Sequence, residues 1–133
     1  AICLNVLEHV RDDLTGLRNI YSVLAPGGRA VVLVPEGMSV YGTLDEVLGH
    51  YRRYSAAELR SKMEQTGFRV ERILEFHRPA RPAWYMNGQL LKRRTFNRFQ
   101  IAVYDRLVWL WRKIDHSLPW PPVSIIAIGV RED

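Results

Sequence analysis

Glu8 and His9 stand side by side near the start of the chain, and His50-Tyr51-Arg52-Arg53 follow much later. An imidazole titrates near neutrality, so Glu8 and His9 together have the makings of a general base. The competing reading is that both cap the next helix or bond to nearby backbone. Arg52 and Arg53, flanked by aromatic rings, have the geometry to hold a carboxylate or phosphate. Against that stands a solvated loop in which one arginine pairs with Asp45 or Glu46.

Positioning these groups falls to a set of short elements. Ala1 to Asn5 reads as the end of a buried strand. Asp12 or Asp13 starts a helix, its carboxylate accepting from first-turn amides, and Leu14, Leu17, Tyr21 and Leu24 form its apolar stripe. Pro26-Gly27-Gly28 ends it, and Ala30 to Val34 is a β-branched run expected to be covered on both faces. Thr43 to Leu48 suits a short helix. Ser55-Ala56-Ala57-Glu58 is a capping box that opens a helix burying Leu59 and Met63 and ending at Gly67. Phe68 to Phe76 alternates, with Phe68, Val70, Leu74 and Phe76 on one side, and Val123 to Val130 closes the chain as an apolar strand. Strands with intervening helices make an α/β sheet.

Composition narrows the class. At 133 residues, 47% hydrophobic and 25% charged, the chain has the makings of one soluble globular domain. The lone Cys3 excludes an internal disulfide and implies a reducing compartment. With no initiator Met, signal peptide or long apolar run, a cytoplasmic and non-spanning chain is expected.

The net charge of +5 is concentrated: residues 1–77 carry −1, residues 78–116 carry +7, and the remainder −1. The basic character therefore belongs to an insertion at residues 78–122, not to the sheet. Phe96, Phe99, Val103, Leu107, Leu110 and Ile114 form its apolar face, widened by Tyr104 and Trp111. Arg94, Arg98, Arg106, Arg112 and Lys113 lie opposite, with Trp109 among them. Such a face suits an anionic membrane surface, or an acceptor with a lipid or phosphate tail. The alternative is a helix that merely packs on the sheet with its charges solvated.

Asn5-Val6-Leu7-Glu8-His9-Val10, Leu24-Ala25-Pro26-Gly27-Gly28, Gly49-His50-Tyr51-Arg52-Arg53-Tyr54-Ser55, Glu58-Leu59 and Gly67-Phe68 occur in that order. In this ordered set the chain resembles the class I S-adenosylmethionine-dependent methyltransferases. The resemblance implies the C-terminal half of a doubly wound Rossmann-like sheet. Its fourth, fifth and sixth strands would run parallel, and the last strand would be antiparallel between the fifth and sixth. Residues 1–133 would then be one partial methyltransferase domain, carrying the basic helical insertion within it. The family's glycine-rich loop after its first strand has no counterpart in these residues, so the isolated chain is expected to bind cofactor poorly or not at all.

The resemblance further implies that Asn5, Val6 and Leu7 flank the methionine part of S-adenosylmethionine. Glu8 and His9 become the catalytic candidates, and His50, Tyr51, Arg52 and Arg53 cover the acceptor pocket. Ubiquinone-pathway relatives hold a metal at an acid-rich version of the first corner. Here Asn5 and Leu7 contribute no carboxylate, and Glu8 with His9 supply two donors, so no metal is expected. The implied activity is methyl transfer to a small-molecule, sugar or lipid-linked acceptor, with no nucleic acid as partner. Rival readings are a non-catalytic interaction domain that dimerises through the exposed strand Ala1–Asn5, and a peripheral membrane module using Arg94, Arg98, Trp109, Arg112 and Lys113.

Overall fold

The computed structural model describes residues 1–132. Its centre is β2 (Arg29–Pro35), where Ala30, Val32 and Val34 are buried. The opposite face, Val31 and Leu33, is only half-buried, so the expected cover on both sides is incomplete. β1 (Ile2–Leu4) lies parallel to β2, pairing Cys3 with Val32. β4 (Ser124–Arg131) lies antiparallel between β2 and β3 (Phe68–Phe76), giving the order β1-β2-β4-β3. β1, β2 and β3 therefore point the same way, and the last strand of the sequence is the antiparallel one, as the resemblance implied.

Two helices cover the buried face. α1 (Asp13–Val23) starts at Asp12, whose Oδ1 accepts from the Thr15 amide at 3.0 Å. α3 (Ala56–Gln65) starts at Ser55, whose Oγ accepts from the Glu58 amide at 3.1 Å. Only this half of the capping box is formed. The Glu58 carboxylate instead approaches Lys62 Nζ at 3.8 Å, one turn along. Leu17, Leu59 and Met63 meet Val32, Phe68, Ile125 and Ala127 in the core.

β3 departs from strict alternation. Val70 pairs with Gly129 but Arg72 pairs with Ile128, so one extra residue is accommodated as a bulge. Past it the faces exchange: Ile73 packs against the core and Leu74 is 40% exposed. The expected inward position of Leu74 is thereby corrected, because a one-residue slip reverses every later side chain.

The insertion holds α4 (Arg81–Tyr85), α5 (Arg98–Arg106) and α6 (Val108–Ile114), with α2 (Thr43–Leu48) beneath it. Arg81 fastens it to the end of β2, donating to Glu36 Oε2 at 2.8 Å and to the Pro122 carbonyl at 2.6 Å. Gly42 and Gly88 allow close approach there: a β-carbon on Gly42 would stand 2.6 Å from the Gly88 carbonyl oxygen.

The expected apolar face of the insertion is also revised. Phe99 is 73% exposed and Val103 lies outside, while Phe96, Gln100, Tyr104 and Trp111 turn inward. The break at Leu107 between α5 and α6 ends the single continuous stripe assumed from spacing. No helix among the described residues is long and apolar enough to cross a membrane.

Candidate functional site

A cavity of about 640 Å³ opens beyond the carboxyl ends of β1, β2 and β3. Its floor is the sheet, through Leu33, Pro35 and Ser124; its roof is the insertion, through Trp84, Phe96 and Tyr104. Open α/β sheets collect ligands at this end, where strands stop and loops diverge. Asn5, His9 and His50 form one wall.

The geometry of that wall begins at the end of β1. The Asn5 amide donates to the Leu33 carbonyl at 3.0 Å, and its backbone then adopts φ 51°. Asparagine tolerates this left-handed conformation better than most residues. The chain turns sharply into a single 3₁₀ turn, Leu7–His9. Leu7 enters the core, Glu8 is wholly buried, and the His9 side chain stays 40% exposed. Val6 faces outward. Of the three residues expected along the cofactor, Asn5 alone lines the cavity. The Leu7 carbonyl already accepts from the Val10 amide and the Tyr54 hydroxyl.

The 49–54 loop reaches the same corner from the other side. The Tyr54 amide donates to the Pro35 carbonyl, and the Tyr51 amide to the Glu8 carbonyl, which pins the loop over the turn. His50 is thereby brought against Glu8 and His9, with its ring 4.8 Å from that of His9 and nearly perpendicular to it. Both imidazole Nε2 atoms lie 4.0 Å from Glu8 Oε1. His9 Nδ1 is bonded to the Gly49 carbonyl at 3.2 Å, and His50 Nδ1 to Asp45 Oδ1 at 2.8 Å.

Asp45 organises the loop from beneath. Burial opposes its charge, but His50, the Arg53 guanidinium and the Gly42 amide outweigh that and hold its carboxyl below the ordinary range. Glu8 is the opposite case. Neither carboxylate oxygen has a hydrogen-bond partner. Burial pushes its carboxyl up, opposed more weakly by its own backbone amide, His50, His9 and Arg53.

The arginines do not converge on a ligand. Arg52 Nη1 pairs with Asp13 Oδ2 at 2.7 Å, and its Nη2 donates to the Arg11 carbonyl. Arg53 is buried, donating through Nε to Asp45 Oδ1 at 2.8 Å with Trp84 stacked 4.3 Å from its guanidinium carbon. Neither lines the cavity, and the pairing with Asp45 is the alternative weighed from sequence. Tyr51 is exposed and receives a hydrogen bond from Arg11 Nε. Of the four acceptor-side residues, His50 alone reaches the cavity wall.

Several lining residues carried no sequence signal that singled them out. His77, which follows β3 with φ 66°, has its imidazole pulled down in pKa by burial. Gln100 and Tyr104 lie four apart on α5, and a polar pair at that spacing within an apolar stripe was the one available hint.

Residues 1–73 match the sequence profile of a methyltransferase domain family. No curated protein sequence matches the chain. Among solved structures, a Haloferax volcanii protein in complex with the Trm112 methyltransferase activator aligns at TM-score 0.59 and 16% identity, covering 99% of this chain and 53% of that one. An S-adenosylmethionine-dependent methyltransferase from Archaeoglobus fulgidus aligns at 0.54 and 18% identity, covering 97% and 57%. Phosphoethanolamine N-methyltransferase 2 of Haemonchus contortus, in complex with S-adenosyl-L-methionine, aligns at 0.54 and 18% identity, covering 99% and 33%. The chain thus spans about half the length of the Haloferax protein, 53%.

Proposed function

The chain belongs to the methyltransferase domain family, and from that premise we propose that it forms the acceptor side of an S-adenosylmethionine-dependent methyltransferase. The observation that carries this reading is the 640 Å³ cavity at the strand ends, walled by Asn5, His9 and His50 and roofed by the insertion. These residues fit one side of the cofactor only. Asn5 offers a polar side chain at the rim, whereas no G-x-G-x-G pattern occurs in the 133 residues. The rest of the cofactor's contacts would come from outside these residues.

S-adenosylmethionine supplies an electrophilic sulfonium methyl when bound. An oxygen, nitrogen or carbon nucleophile on the acceptor would take that methyl as the carbon–sulfur bond breaks, and its proton would need a base. His9 lines the cavity with Nδ1 committed to Gly49, which leaves Nε2 as the nitrogen to take that proton. Glu8, buried behind it, holds a carboxylate 4.0 Å from that nitrogen. Positioning of the two reactants supplies much of the acceleration. Phe96, Trp84 and Leu33 give the cavity an apolar interior, which favours, among small-molecule, sugar and lipid-linked acceptors, one with an apolar body.

The test is calorimetric titration of S-adenosylmethionine into this chain and into a form continued N-terminally through a glycine-rich first strand. Binding by the extended form alone is the expected result. Binding by neither overturns the reading, and tight binding by the 133-residue chain overturns the division of the cofactor site.

A second reading concerns the outer face of the insertion. Phe99 and Trp109 are 73% and 61% exposed, among the exposed cations Arg94, Arg98, Arg112 and Lys113. Large apolar groups set among cations favour contact with an anionic membrane surface, which would bring a lipid-linked acceptor to the cavity beneath.

A further inference from the structure

Glu8 is a buried carboxylate with both oxygens unpartnered, in a protein fold where buried polar groups are nearly always satisfied. What faces it are two imidazole nitrogens. The Gly49 carbonyl can only accept, so His9 Nδ1 carries the proton of that hydrogen bond. Asp45, held ionised by Arg53 and the Gly42 amide, also accepts, so His50 Nδ1 is protonated too. With both Nδ1 atoms engaged, each ring has its Nε2 left toward Glu8, 4.0 Å from Oε1. One ligand atom from each of Glu8, His9 and His50 lies within 4.8 Å of the others.

A metal ion placed among them would give Glu8 the partner it lacks and engage both Nε2 atoms at once. We propose that Glu8, His9 and His50 form a divalent metal site of the zinc class, with an open position facing the cavity. Two imidazoles and one carboxylate are the donor types that zinc takes in sites keeping a position free for a further ligand. The surroundings match as well: ligating histidines ordinarily donate their second nitrogen to a carboxylate or backbone carbonyl, and here Asp45 and Gly49 receive those bonds. Tetrahedral zinc spaces its ligand atoms about 3.4 Å apart, so closing this set takes side-chain movements of under about 1 Å. His9 and His50 both line the cavity, which leaves the fourth position accessible from it.

Two of the donors, Glu8 and His9, belong to the corner after β1, which here lacks the further carboxylates of an acid-rich site. The third member comes from the loop across the cavity wall, and the two-donor count made from sequence is amended accordingly. The site stands apart from the methyl-transfer reading, because it is assayed with neither cofactor nor acceptor present. Metal and proton compete for the same lone pairs, so binding releases protons and withdraws His9 from service as a base while the ion is held.

The experiment titrates zinc chloride into the 133-residue chain by calorimetry, with cobalt(II) absorption spectra as a second readout. One zinc per chain is expected, with visible cobalt bands of a low-coordinate nitrogen and oxygen set. Glu8→Gln and His50→Gln should each weaken binding at least tenfold, with far-UV circular dichroism showing that each variant is folded. Cys3→Ser should leave both affinity and spectrum unchanged, since the lone thiol is no part of the set. Absence of stoichiometric zinc binding overturns the proposal. So does binding that survives Glu8→Gln and His50→Gln, or that vanishes with Cys3→Ser. Should a variant fail to fold, the wild-type cobalt spectrum decides by itself: a sulfur charge-transfer band or an octahedral aquo spectrum rejects the site.

Discussion

Arg53 and Asp45 form an ion pair, Nε to Oδ1 at 2.8 Å, in which neither side chain reaches solvent. Asp45 lies on α2 and Arg53 in the loop before α3, so the pair ties the acceptor-side loop to the helix beneath it. A buried pair of this kind contributes little over an apolar isostere, yet breaking it strands the surviving charge. Arg53→Ala should therefore destabilise the fold by about 3–5 kcal/mol, read from urea denaturation. A loss below about 1 kcal/mol would mean that Asp45 is satisfied without it.

Asp13 gathers Tyr54, Lys62 and Arg52 around one carboxylate, at 2.9 Å, 3.0 Å and 2.7 Å from Oδ2. Burial opposes its charge, but the bonds from Lys62, Arg52 and Tyr54 together hold its pKa below the ordinary 3.8. A carboxyl depressed in the folded state stabilises it fully above the unfolded value, and that contribution fades as pH falls through the folded one. Acid unfolding should accordingly steepen below about pH 4, the unfolded carboxylate range. Asp13→Asn should flatten that limb while lowering stability at neutral pH; an unchanged acid limb would assign it to other carboxylates.

Ile73 and Leu74 exchange their expected sides at the β3 bulge. Ile73→Ala should cost about 1–2 kcal/mol and Leu74→Ala less than about 0.5 kcal/mol, given which of them packs on the core. Equal losses in thermal unfolding would contradict the bulged register.

Trp109 and Phe99 provide the test of the membrane reading. The chain should sediment with vesicles containing anionic lipid, and less so as salt rises. Removing both Arg112 and Lys113 should weaken binding by an order of magnitude or more, since each cation near such a surface is worth about 1 kcal/mol. Trp109→Ala should weaken binding to anionic vesicles without altering unfolding, because that ring is exposed. Binding that ignores both changes would remove the face from consideration.

Much of the fold was legible in the residues themselves. Asp12 and Ser55 start helices through bonds spanning three residues, the 30–34 run is apolar enough to form the central strand, and Pro26-Gly27-Gly28 separates helix from strand. These features depend on neighbours within about one helical turn, and a sequence displays them directly. Family motifs added the strand order, since an antiparallel last strand between two parallel ones has no local signature.

The site was legible only in pieces. Glu8 and His9 were visible as a chemical pair, but His50 joins them because the 49–54 loop docks on the end of β2 and on the Glu8 carbonyl. Arg52 and Arg53 looked like a joint anion clamp, and the fold instead sends one to Asp13 and the other to Asp45. A bulge at Glu71 and a break at Leu107 reset which later side chains face inward. The sequence by itself determined the local elements, the basic insertion and the family, because turn chemistry, periodicity and charge are properties of neighbouring residues. Tertiary structure alone decided which distant side chains meet, because that depends on how loops dock and on phase shifts of one residue, which spacing along the chain does not encode.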